Sequence, residues 1–317
     1  MGSLLTSVFR DPRLQRIRRL NQFGARRLGK LQSALPDITC VDVGASYYPH
    51  TSWWLFMDSP RTAWLAVEPN RQNLGYVDAW PWAASVTPVP VGLSEHGGPQ
   101  TLHVTNTDSG SSLLKPVIGP AMESRATEQM RNYFFPVTEV EIMTQTLASV
   151  ISEYSAGPNV PTVVKLDTQG SELSILKSVL RGNSPGNLVG VEIECSLLAS
   201  PYYESSPRLW EVAQFMEQHG FELIQVDIVP RVLTKSKISS KAREIANESD
   251  AVFALRPEVA QSRPVEFRAA LLAFYITNCF YGEAVRLLSN DRDLVGHLGS
   301  RGCNISRLTD ELTRRSR

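Results

Sequence analysis

The sequence predicts an α/β fold, doubly wound, in which helices cover both faces of a mostly parallel sheet. Short and almost continuous apolar runs alternate with helix-like stretches over residues 38–256. Strands that are apolar along their whole length are typical of parallel sheets that are buried on both faces. The chain has 317 residues, of which 42% are hydrophobic and 20% charged, so its composition is that of a globular protein with a sizeable core.

A basic amphipathic stretch precedes the predicted sheet. Apolar residues recur at helix-like spacing over residues 4–33, and eight basic residues stand against the single acidic Asp11 between residues 1 and 36. We therefore predict a basic N-terminal helical extension over residues 1–37. Such a surface can contact an anionic partner or the periphery of a membrane, although a solvated helix face is the commoner explanation.

Seven apolar runs then predict the strands of the main sheet, within a domain that spans residues 38–256. The runs cover residues 38–43, 63–67, 86–91, 162–166, 188–194, 221–229 and 251–255. Helix-like periodicity between them predicts helices over residues 51–57, 72–80, 171–180 and 207–219. An insertion over 100–153 is predicted to add two strands, at 101–104 and 137–143, with a short helix between them. The remaining residues, 257–317, predict a helical tail with helices over 269–277 and 283–288.

Charge and cysteine content exclude several classes of protein. Basic and acidic residues both number 32, so the chain lacks the basic excess of proteins that hold nucleic acid along their length. No apolar run approaches the length of about 18 residues that a membrane span requires, and no secretory leader is recognisable. The four cysteines show neither metal-binding spacing nor a disulfide pattern. We expect a cytoplasmic, reduced protein without a metal, and its oligomeric state stays open.

The ends of the predicted strands carry the residues that point to a ligand. The first strand ends near Asp42 and is followed by Gly44, where the lack of a side chain lets the backbone approach a ligand. A helix that starts after Gly44 would offer free N–H groups to that ligand. The second ends at Glu68, 24 residues after Gly44, and a carboxylate at that spacing commonly accepts hydrogen bonds from ribose hydroxyls. The full G-x-G-x-x-G pattern is absent, which favours a nucleoside without phosphate over a nicotinamide dinucleotide.

Three further segments recur in this order in one known family. Residues 91–94 read VGLS, residues 111–113 read SSL, and residues 165–177 read KLDTQGSELSILK. The last segment is similar to the signature K-[IL]-D-x-[EQ]-G-x-E-x-x-[IVL]-L-K of the FkbM-type S-adenosylmethionine-dependent methyltransferases. The resemblance covers about residues 38–255, or two thirds of the chain. It implies a Rossmann-like methyltransferase sheet and S-adenosyl-L-methionine as the cofactor.

The resemblance also assigns roles to the strand-end residues. It implies that the loop after the first strand lies near the methionine part of the cofactor, that Glu68 holds the ribose, and that residues after the third strand approach the adenine. The cofactor-binding residues that it implies are Asp42, Gly44, Ala45, Ser46, Glu68, Pro69, Asn70, Gly92, Leu93, Ser111 and Ser112. The chain departs from the family at three positions, with Tyr48 in place of the second glycine of the first loop, Ala148 in place of an acidic residue after Leu147, and Gln169 where glutamate is common.

The resemblance also implies that the reaction takes place at the ends of the fourth and fifth strands. We expect methyl transfer to a hydroxyl of a sugar, glycan or polyketide-like product, with a general base that takes up the hydroxyl proton. Asp167 and Glu194 are the candidates, with His96 and His103 behind them. Asp167 could instead cap the following helix, and of Glu192 and Glu194 we expect only one to face the site.

Two other functions remain open from the sequence. The chain could be a catalytically inactive methyltransferase fold that acts as a scaffold, with its basic N-terminal helices binding a partner or a membrane, as Tyr48 in the first loop would suggest. A nicotinamide-dependent dehydrogenase is the weaker alternative, because the glycine pattern is missing. The partners we expect for the leading hypothesis are a small-molecule or glycan acceptor and no nucleic acid.

Overall fold

A computed structural model describes most of the chain. It covers residues 28–47, 50, 53–57, 59, 61–75, 77, 86–117, 128–180, 186–197, 202–229 and 248–316. Most of the predicted N-terminal extension, residues 1–27, lies outside the described residues, as does Tyr48. The predicted boundaries between extension, central domain and tail therefore stay predictions.

A seven-stranded sheet forms the centre of the molecule, and its order is β3-β2-β1-β7-β8-β10-β9. All neighbouring strands pair in parallel except those that involve β10, which is antiparallel to β8 and to β9. This confirms the predicted α/β fold with a mostly parallel sheet. The strands are β1 Ile38–Val43, β2 Thr62–Val67, β3 Val86–Val89, β7 Thr162–Leu166, β8 Leu188–Ser196, β9 Phe221–Val229 and β10 Glu248–Leu255.

A second sheet of three strands is formed by the inserted region together with the segment just before it. It contains β4 Gly92–Leu93, β5 Gly98–Thr105 and β6 Pro136–Gln145, with β6 in the middle, parallel to β4 and antiparallel to β5. Both strands predicted inside the insertion fall within β5 and β6. The short helix predicted between them corresponds to Glu128–Tyr133.

Helices connect and cover the strands. They are α1 Leu31–Ala34, α2 Trp54–Met57, α3 Glu128–Tyr133, α4 Leu147–Tyr154, α5 Glu172–Val179, α6 Leu209–Gln218, α7 Pro257–Gln261, α8 Val265–Thr277, α9 Tyr281–Asn290, α10 Arg292–Ser300 and α11 Ile305–Arg315. Where the structure describes the start of the helix predicted over 72–80, it shows a short 3-10 turn, Arg71–Leu74, which Asn70 caps by accepting the N–H of Gln72. Residues 76 and 78–80 of that prediction lie outside the described residues. Helix α4 was missed by the sequence analysis. None of the helices in the described residues is long and apolar enough to cross a membrane.

The C-terminal helices share one hydrophobic core with the large sheet. Every residue of α8 from Phe267 to Thr277 is buried, which explains why its sequence is apolar on all sides. Gly190 on β8 lets this helix approach closely, because a Cβ there would lie 2.5 Å from the ring of Phe274. Arg268 and Asp291 form an ion pair that is almost completely buried and joins α8 to the start of α10.

Candidate active site

A pocket of about 550 Å³ opens at the carboxyl ends of the parallel strands. Its floor is formed by the ends of β1, β2, β7 and β8, and the three-stranded sheet forms one wall. This is the place where open α/β sheets bind ligands. The sequence resemblance predicts that the cofactor lies at the ends of β1 and β2, and we call that side the cofactor half, which includes Gly44, Ser46, Glu68 and Asn70. It predicts that the acceptor lies at the ends of β7 and β8, and we call that side, together with the adjoining β10, the acceptor half, with Asp167, Gln169, Glu192, Glu194 and Asp250.

Glu68 is the fixed carboxylate of the cofactor half. Its side chain is only 8% exposed, although it lines the pocket. One carboxylate oxygen accepts the backbone N–H of Asn70 and the other accepts the hydroxyl of Ser46, both at 2.9 Å. Burial raises the pKa of Glu68, and these two donors counteract part of that effect. Each oxygen keeps a further lone pair, so the carboxylate can accept two more hydrogen bonds from a ligand.

A glycine and several backbone hydrogen bonds fix the loop after β1 in its position. Gly44 has a φ of +77°, and a Cβ at this position would lie 2.0 Å from the carbonyl oxygen of Asp167. The glycine is therefore required for the close approach of two strand ends. The N–H groups of Gly44 and Ala45 both donate to the carbonyl of Val67, and that of Ser46 donates to Gly44. The free N–H groups that the sequence suggested here are thus already bonded within the chain, and Ala45 is buried outside the pocket lining.

Asp42 lies beneath the pocket and does not line it. Its carboxylate accepts the backbone N–H of His50 at 2.8 Å and lies 3.8 Å from the ammonium group of Lys165. Asp42 therefore acts on the site through these two residues, and the structure does not place it where a ligand would touch it.

The three-stranded sheet supplies an apolar wall next to the cofactor half. Leu93, Leu102, Val104 and Ile142 line this wall, and Gly92 lies beside them. The predicted residues Pro69, Ser111 and Ser112 also line the pocket, and Ser112 donates its hydroxyl to the backbone carbonyl of Gln169 at 2.8 Å. Across this part of the pocket the Tyr47 hydroxyl donates to the Asp108 carboxylate, and this hydrogen bond raises the pKa of Tyr47 to about 12.

Asp167 is the centre of a hydrogen-bonded network in the acceptor half. One of its oxygens lies 3.1 Å from the Lys165 ammonium group, and the other accepts the amide N–H of Gln169 at 3.1 Å. Burial raises the pKa of Asp167, but Lys165 and the hydrogen bonds of Glu194 and Gln169 together outweigh it, and the net pKa is lowered to about 2. For Lys165, burial acts to lower the pKa, but the charges of Asp167 and Asp42 raise it above its usual value. Asp167 and Lys165 are therefore both charged at neutral pH.

Glu194 holds a proton beside Asp167. Burial, and next the charge of Asp167, raise the pKa of Glu194 well above its usual range, and its carboxyl group hydrogen-bonds to Asp167. The amide of Gln169 also donates to Glu194, at 2.6 Å, so the two carboxyl groups share one donor. The pair therefore carries one proton and one negative charge at neutral pH.

Gln169 is held in an unusual backbone conformation. Its φ is +58°, in the left-handed region that residues other than glycine seldom adopt. The Tyr203 hydroxyl lies 3.1 Å from the side-chain carbonyl of Gln169, which directs the amide N–H groups toward the carboxyl groups. Local strain of this kind is found where a side chain is positioned for function. Sequence analysis noted Gln169 only as a departure from the family, and nothing in the sequence indicated its partner Tyr203.

Glu192 and Glu194 both line the pocket, so the prediction that only one would face it is wrong. Side chains alternate along a strand with a period of two, and residues two apart therefore point to the same side. Glu192 lies 2.8 Å from the ring Nε2 of His50, which also lines the pocket. Asp250 on β10 is paired with Glu194 in the sheet register and completes this cluster.

The structure does not bring His96 to the pocket, so its predicted catalytic role is corrected. Its side chain is 82% exposed in the turn between β4 and β5, where Gly97 has a φ of +72°. The nearest partner is Glu95, at 3.8 Å. His103 lies outside the pocket lining as well, because its neighbours Leu102 and Val104 point inward and alternation turns it to the other face of β5.

The described residues contain no group of three or more histidine, cysteine, aspartate or glutamate side chains arranged to hold a metal ion. In the acidic cluster of the acceptor half, Asp167 contacts the Lys165 ammonium group, and both Asp167 and Glu194 accept from the Gln169 amide.

Comparison with known proteins identifies the family. The sequence profile of the family described as the methyltransferase FkbM domain matches residues 42–223. No curated protein sequence matches the chain significantly. Among solved structures, a precorrin-6y C5,15-methyltransferase from Geobacter metallireducens GS-15 is 14% identical, with 74% of this chain and 87% of that chain covered and a TM-score of 0.32.

Two further structures are similar at the same level. A putative methyltransferase from Thermobifida fusca YX is 11% identical over 77% of this chain and 82% of its own, with a TM-score of 0.30. The plantazolicin methyltransferase BpumL in complex with SAH is 9% identical over 80% of this chain and 95% of its own, with a TM-score of 0.30. The family profile covers more than half of the 317 residues and includes Glu68, Asp167 and Glu194. The chain therefore belongs to the FkbM methyltransferase family.

Proposed function

We propose that the protein transfers the methyl group of S-adenosyl-L-methionine to a hydroxyl of a sugar, glycan or polyketide-like natural product. The observation that carries the proposal is the division of one pocket between two sets of carboxyl groups. Glu68 is suited to hold the cofactor, and the pair of Asp167 and Glu194 lies where the acceptor would meet it. Family membership supplies the reaction class, and the chemistry of the pocket supports the finer assignment.

The cofactor half fits S-adenosylmethionine in its chemistry. The two oxygens of Glu68 match the two ribose hydroxyls, and the apolar wall at Leu93 and Ile142 suits an adenine ring. The pocket is also strongly acidic, since only Lys165 and His50 oppose six carboxyl groups among its described lining residues: Glu68, Asp108, Asp167, Glu192, Glu194 and Asp250. That balance favours a ligand with a sulfonium and an ammonium group. It disfavours the pyrophosphate of a nicotinamide dinucleotide.

The acceptor half fits a ligand that is rich in hydroxyl groups. Asp167 is ionised and can accept a hydroxyl proton in a hydrogen bond, while the protonated Glu194 and the Gln169 amide can donate. S-adenosylmethionine supplies a methyl group that is already activated by a positively charged sulfur. The protein therefore mainly has to align the acceptor oxygen and exclude water, and we assign the alignment to Asp167 and Glu194.

Titration with the cofactor and its product tests the proposal first. Isothermal titration with S-adenosylmethionine and S-adenosylhomocysteine should give saturable one-to-one binding in the micromolar range, and NAD should give none. Transfer from methyl-labelled S-adenosylmethionine is then measured on a panel of neutral sugars, amino sugars and macrolide polyols, with the methylated atom located by mass spectrometry. We expect an O-methyl product.

Absence of binding heat, together with no thermal shift, would overturn the proposal. The scaffold function would then be the one to pursue, and it predicts a partner whose binding is lost when residues 1–36 are deleted.

A further inference from the structure

His50 and Glu192 form a pair in the pocket that the proposed function does not yet use. The ring Nε2 of His50 lies 2.8 Å from a carboxylate oxygen of Glu192, although 142 positions separate the two residues in the chain. Their side chains are 12% and 15% exposed, and both line the pocket. The pair is thus shielded from bulk water but reachable from the cavity.

Three contacts fix His50, one to its backbone and two to its imidazole ring. The backbone N–H of His50 donates to the buried carboxylate of Asp42 at 2.8 Å. This hydrogen bond fixes the backbone of His50. The ring packs edge-on against Trp53, with 4.7 Å between the ring centroids, and Trp53 is completely buried. Glu192 holds Nε2. A side chain held in this way is arranged in advance for its chemistry, because little freedom remains to be lost on binding.

The carboxylate of Glu192 selects one tautomer of the ring. An ionised carboxylate only accepts hydrogen bonds, so the neutral imidazole carries its proton on Nε2 and has its lone pair on Nδ1. Burial raises the pKa of Glu192, but the effects of His50, Lys165 and Trp53 together outweigh it and the net pKa is lowered, so Glu192 is ionised. Counting only the described residues, the ring's hydrogen bonds are confined to Nε2. Nδ1 is therefore the atom that can accept a proton.

The carboxyl groups nearby are poorly suited to remove a proton. Asp167 is bound by Lys165 and by the Gln169 amide, and its pKa of about 2 makes it a weak base. Glu194 already carries a proton. A general base is most effective when its affinity for protons matches the working pH, and an imidazole meets that condition better than either group.

Titratable and charged groups face His50 from every strand packed against it. They are Asp42 on β1, Lys165 and Asp167 on β7, Glu192 and the protonated Glu194 on β8, and Asp250 on β10. The Glu192 carboxylate touches the ring itself, so an imidazolium ion formed during the reaction would have an ion-pair partner already in place.

We propose that His50 is the catalytic base of the methyl transfer and that Glu192 positions it. The inference rests on the proposed function, since it requires a hydroxyl acceptor. As the acceptor oxygen forms its bond to the methyl carbon, the bond between that carbon and the cofactor sulfur breaks and its electron pair stays on sulfur. The hydroxyl proton moves to Nδ1 of His50. The resulting imidazolium pairs with the Glu192 carboxylate and later releases its proton to water.

The test uses the full chain and the acceptor that gives the highest transfer in the panel described above. His50→Gln should lower kcat at least about 100-fold, within the range for loss of a general base, while the Kd for S-adenosylhomocysteine changes less than about threefold. Glu192→Gln should lower kcat about tenfold. Glu139→Gln is the matched control, because it removes the carboxylate of another histidine–glutamate pair, with His103, outside the pocket. That control should retain wild-type turnover.

Two readouts separate catalysis from a structural role. Added imidazole should restore part of the turnover of His50→Ala, and the fall of wild-type kcat on acidification should disappear in His50→Gln. Retention of more than half of the wild-type kcat in His50→Gln would overturn the inference and leave the proposed function standing. Loss of S-adenosylhomocysteine binding in that variant would also overturn it, by showing a binding role. A wild-type protein that methylates no hydroxyl acceptor would refute the proposed function, and this inference with it.

Discussion

The two halves of the pocket use carboxyl groups in different ways. In the cofactor half, Glu68 is held by two neutral donors, the Ser46 hydroxyl and the Asn70 N–H. In the acceptor half, Asp167 is bound to Lys165 and shares the Gln169 amide with Glu194. A carboxylate held by neutral donors serves to accept hydrogen bonds from a ligand. A network with a fixed charge and a shared proton instead sets the protonation state of each member, which a reaction requires.

The largest expected effect comes from removing the charge at the centre of the acceptor half. Asp167→Asn keeps the shape of the side chain but removes the partner of Lys165 and the carboxylate that Glu194 hydrogen-bonds. We expect kcat to fall about 10²- to 10³-fold, comparable to the loss of a preorganised electrostatic group. The Kd for S-adenosylhomocysteine should change less than about threefold, because Glu68 is untouched. Labelled methyl transfer and isothermal titration measure the two quantities.

The control for this variant is Glu95→Gln, which removes a carboxylate in the turn between β4 and β5, outside the pocket lining. It should behave as the wild type in both assays. If Asp167→Asn kept wild-type turnover, Asp167 would have no part in aligning the acceptor. If Asp167→Asn also lost the binding of S-adenosylhomocysteine, the two halves of the pocket would not act independently of each other.

The reverse pattern is expected when the cofactor half is changed. Glu68→Gln removes the charge but keeps one acceptor oxygen, and a hydrogen bond to a charged group contributes about 1.5–3 kcal/mol. The Kd for S-adenosylhomocysteine should therefore rise about 10- to 100-fold, with kcat at saturating cofactor within a few fold of the wild type. Isothermal titration gives the first value and initial rates give the second. An unchanged Kd would show that the ribose is not bound by Glu68.

The cofactor half was largely predictable from the sequence, because its residues follow strand ends directly. Two of them, Gly44 and Ser46, follow β1, and the other two, Glu68 and Asn70, follow β2. Because β1 and β2 are neighbours in the sheet, their ends meet once the parallel sheet is recognised. The exceptions have local causes. Asp42 belongs to a strand that is buried on both faces, so its side chain lies beneath the pocket floor.

The acceptor half was predictable only in part. The family signature pointed to Asp167, but His50 and Glu192 meet across 142 positions, and Tyr203 reaches Gln169 from a separate aromatic cluster with Phe134. Contacts of this kind depend on how distant segments pack, which no local pattern in one sequence records. The error at His96 has the same origin, since a turn rich in glycine can direct a side chain to either side.

The smallest expected effect concerns the backbone that carries the acceptor half. Glu172, at the start of α5, is 2% exposed and accepts the N–H groups of Thr168 and Gly170, so it holds the loop in which Gln169 lies. Burial raises the pKa of Glu172 to about 7, and the backbone donors oppose this only in part. Between about pH 4.5 and 7 the folded protein therefore keeps a proton that the unfolded chain has lost. Since folding binds that proton, the contribution of Glu172 to the free energy of unfolding must decrease as pH rises through this range.

Glu172→Gln removes this dependence, because glutamine can accept the same N–H groups but does not ionise. Its stability relative to the wild type should therefore rise by about 1–3 kcal/mol between pH 4.5 and pH 8, as the linkage relation requires for a shift of this size. Urea denaturation of both proteins at each pH measures the change, and the difference between them cancels the groups that they share, including Asp167, which titrates below this range. Parallel stability curves for the two proteins would show that Glu172 ionises normally in the folded state. The loop that carries Gln169 would then be insensitive to pH near neutrality, and the acceptor half would owe its protonation pattern to Asp167 and Glu194 alone.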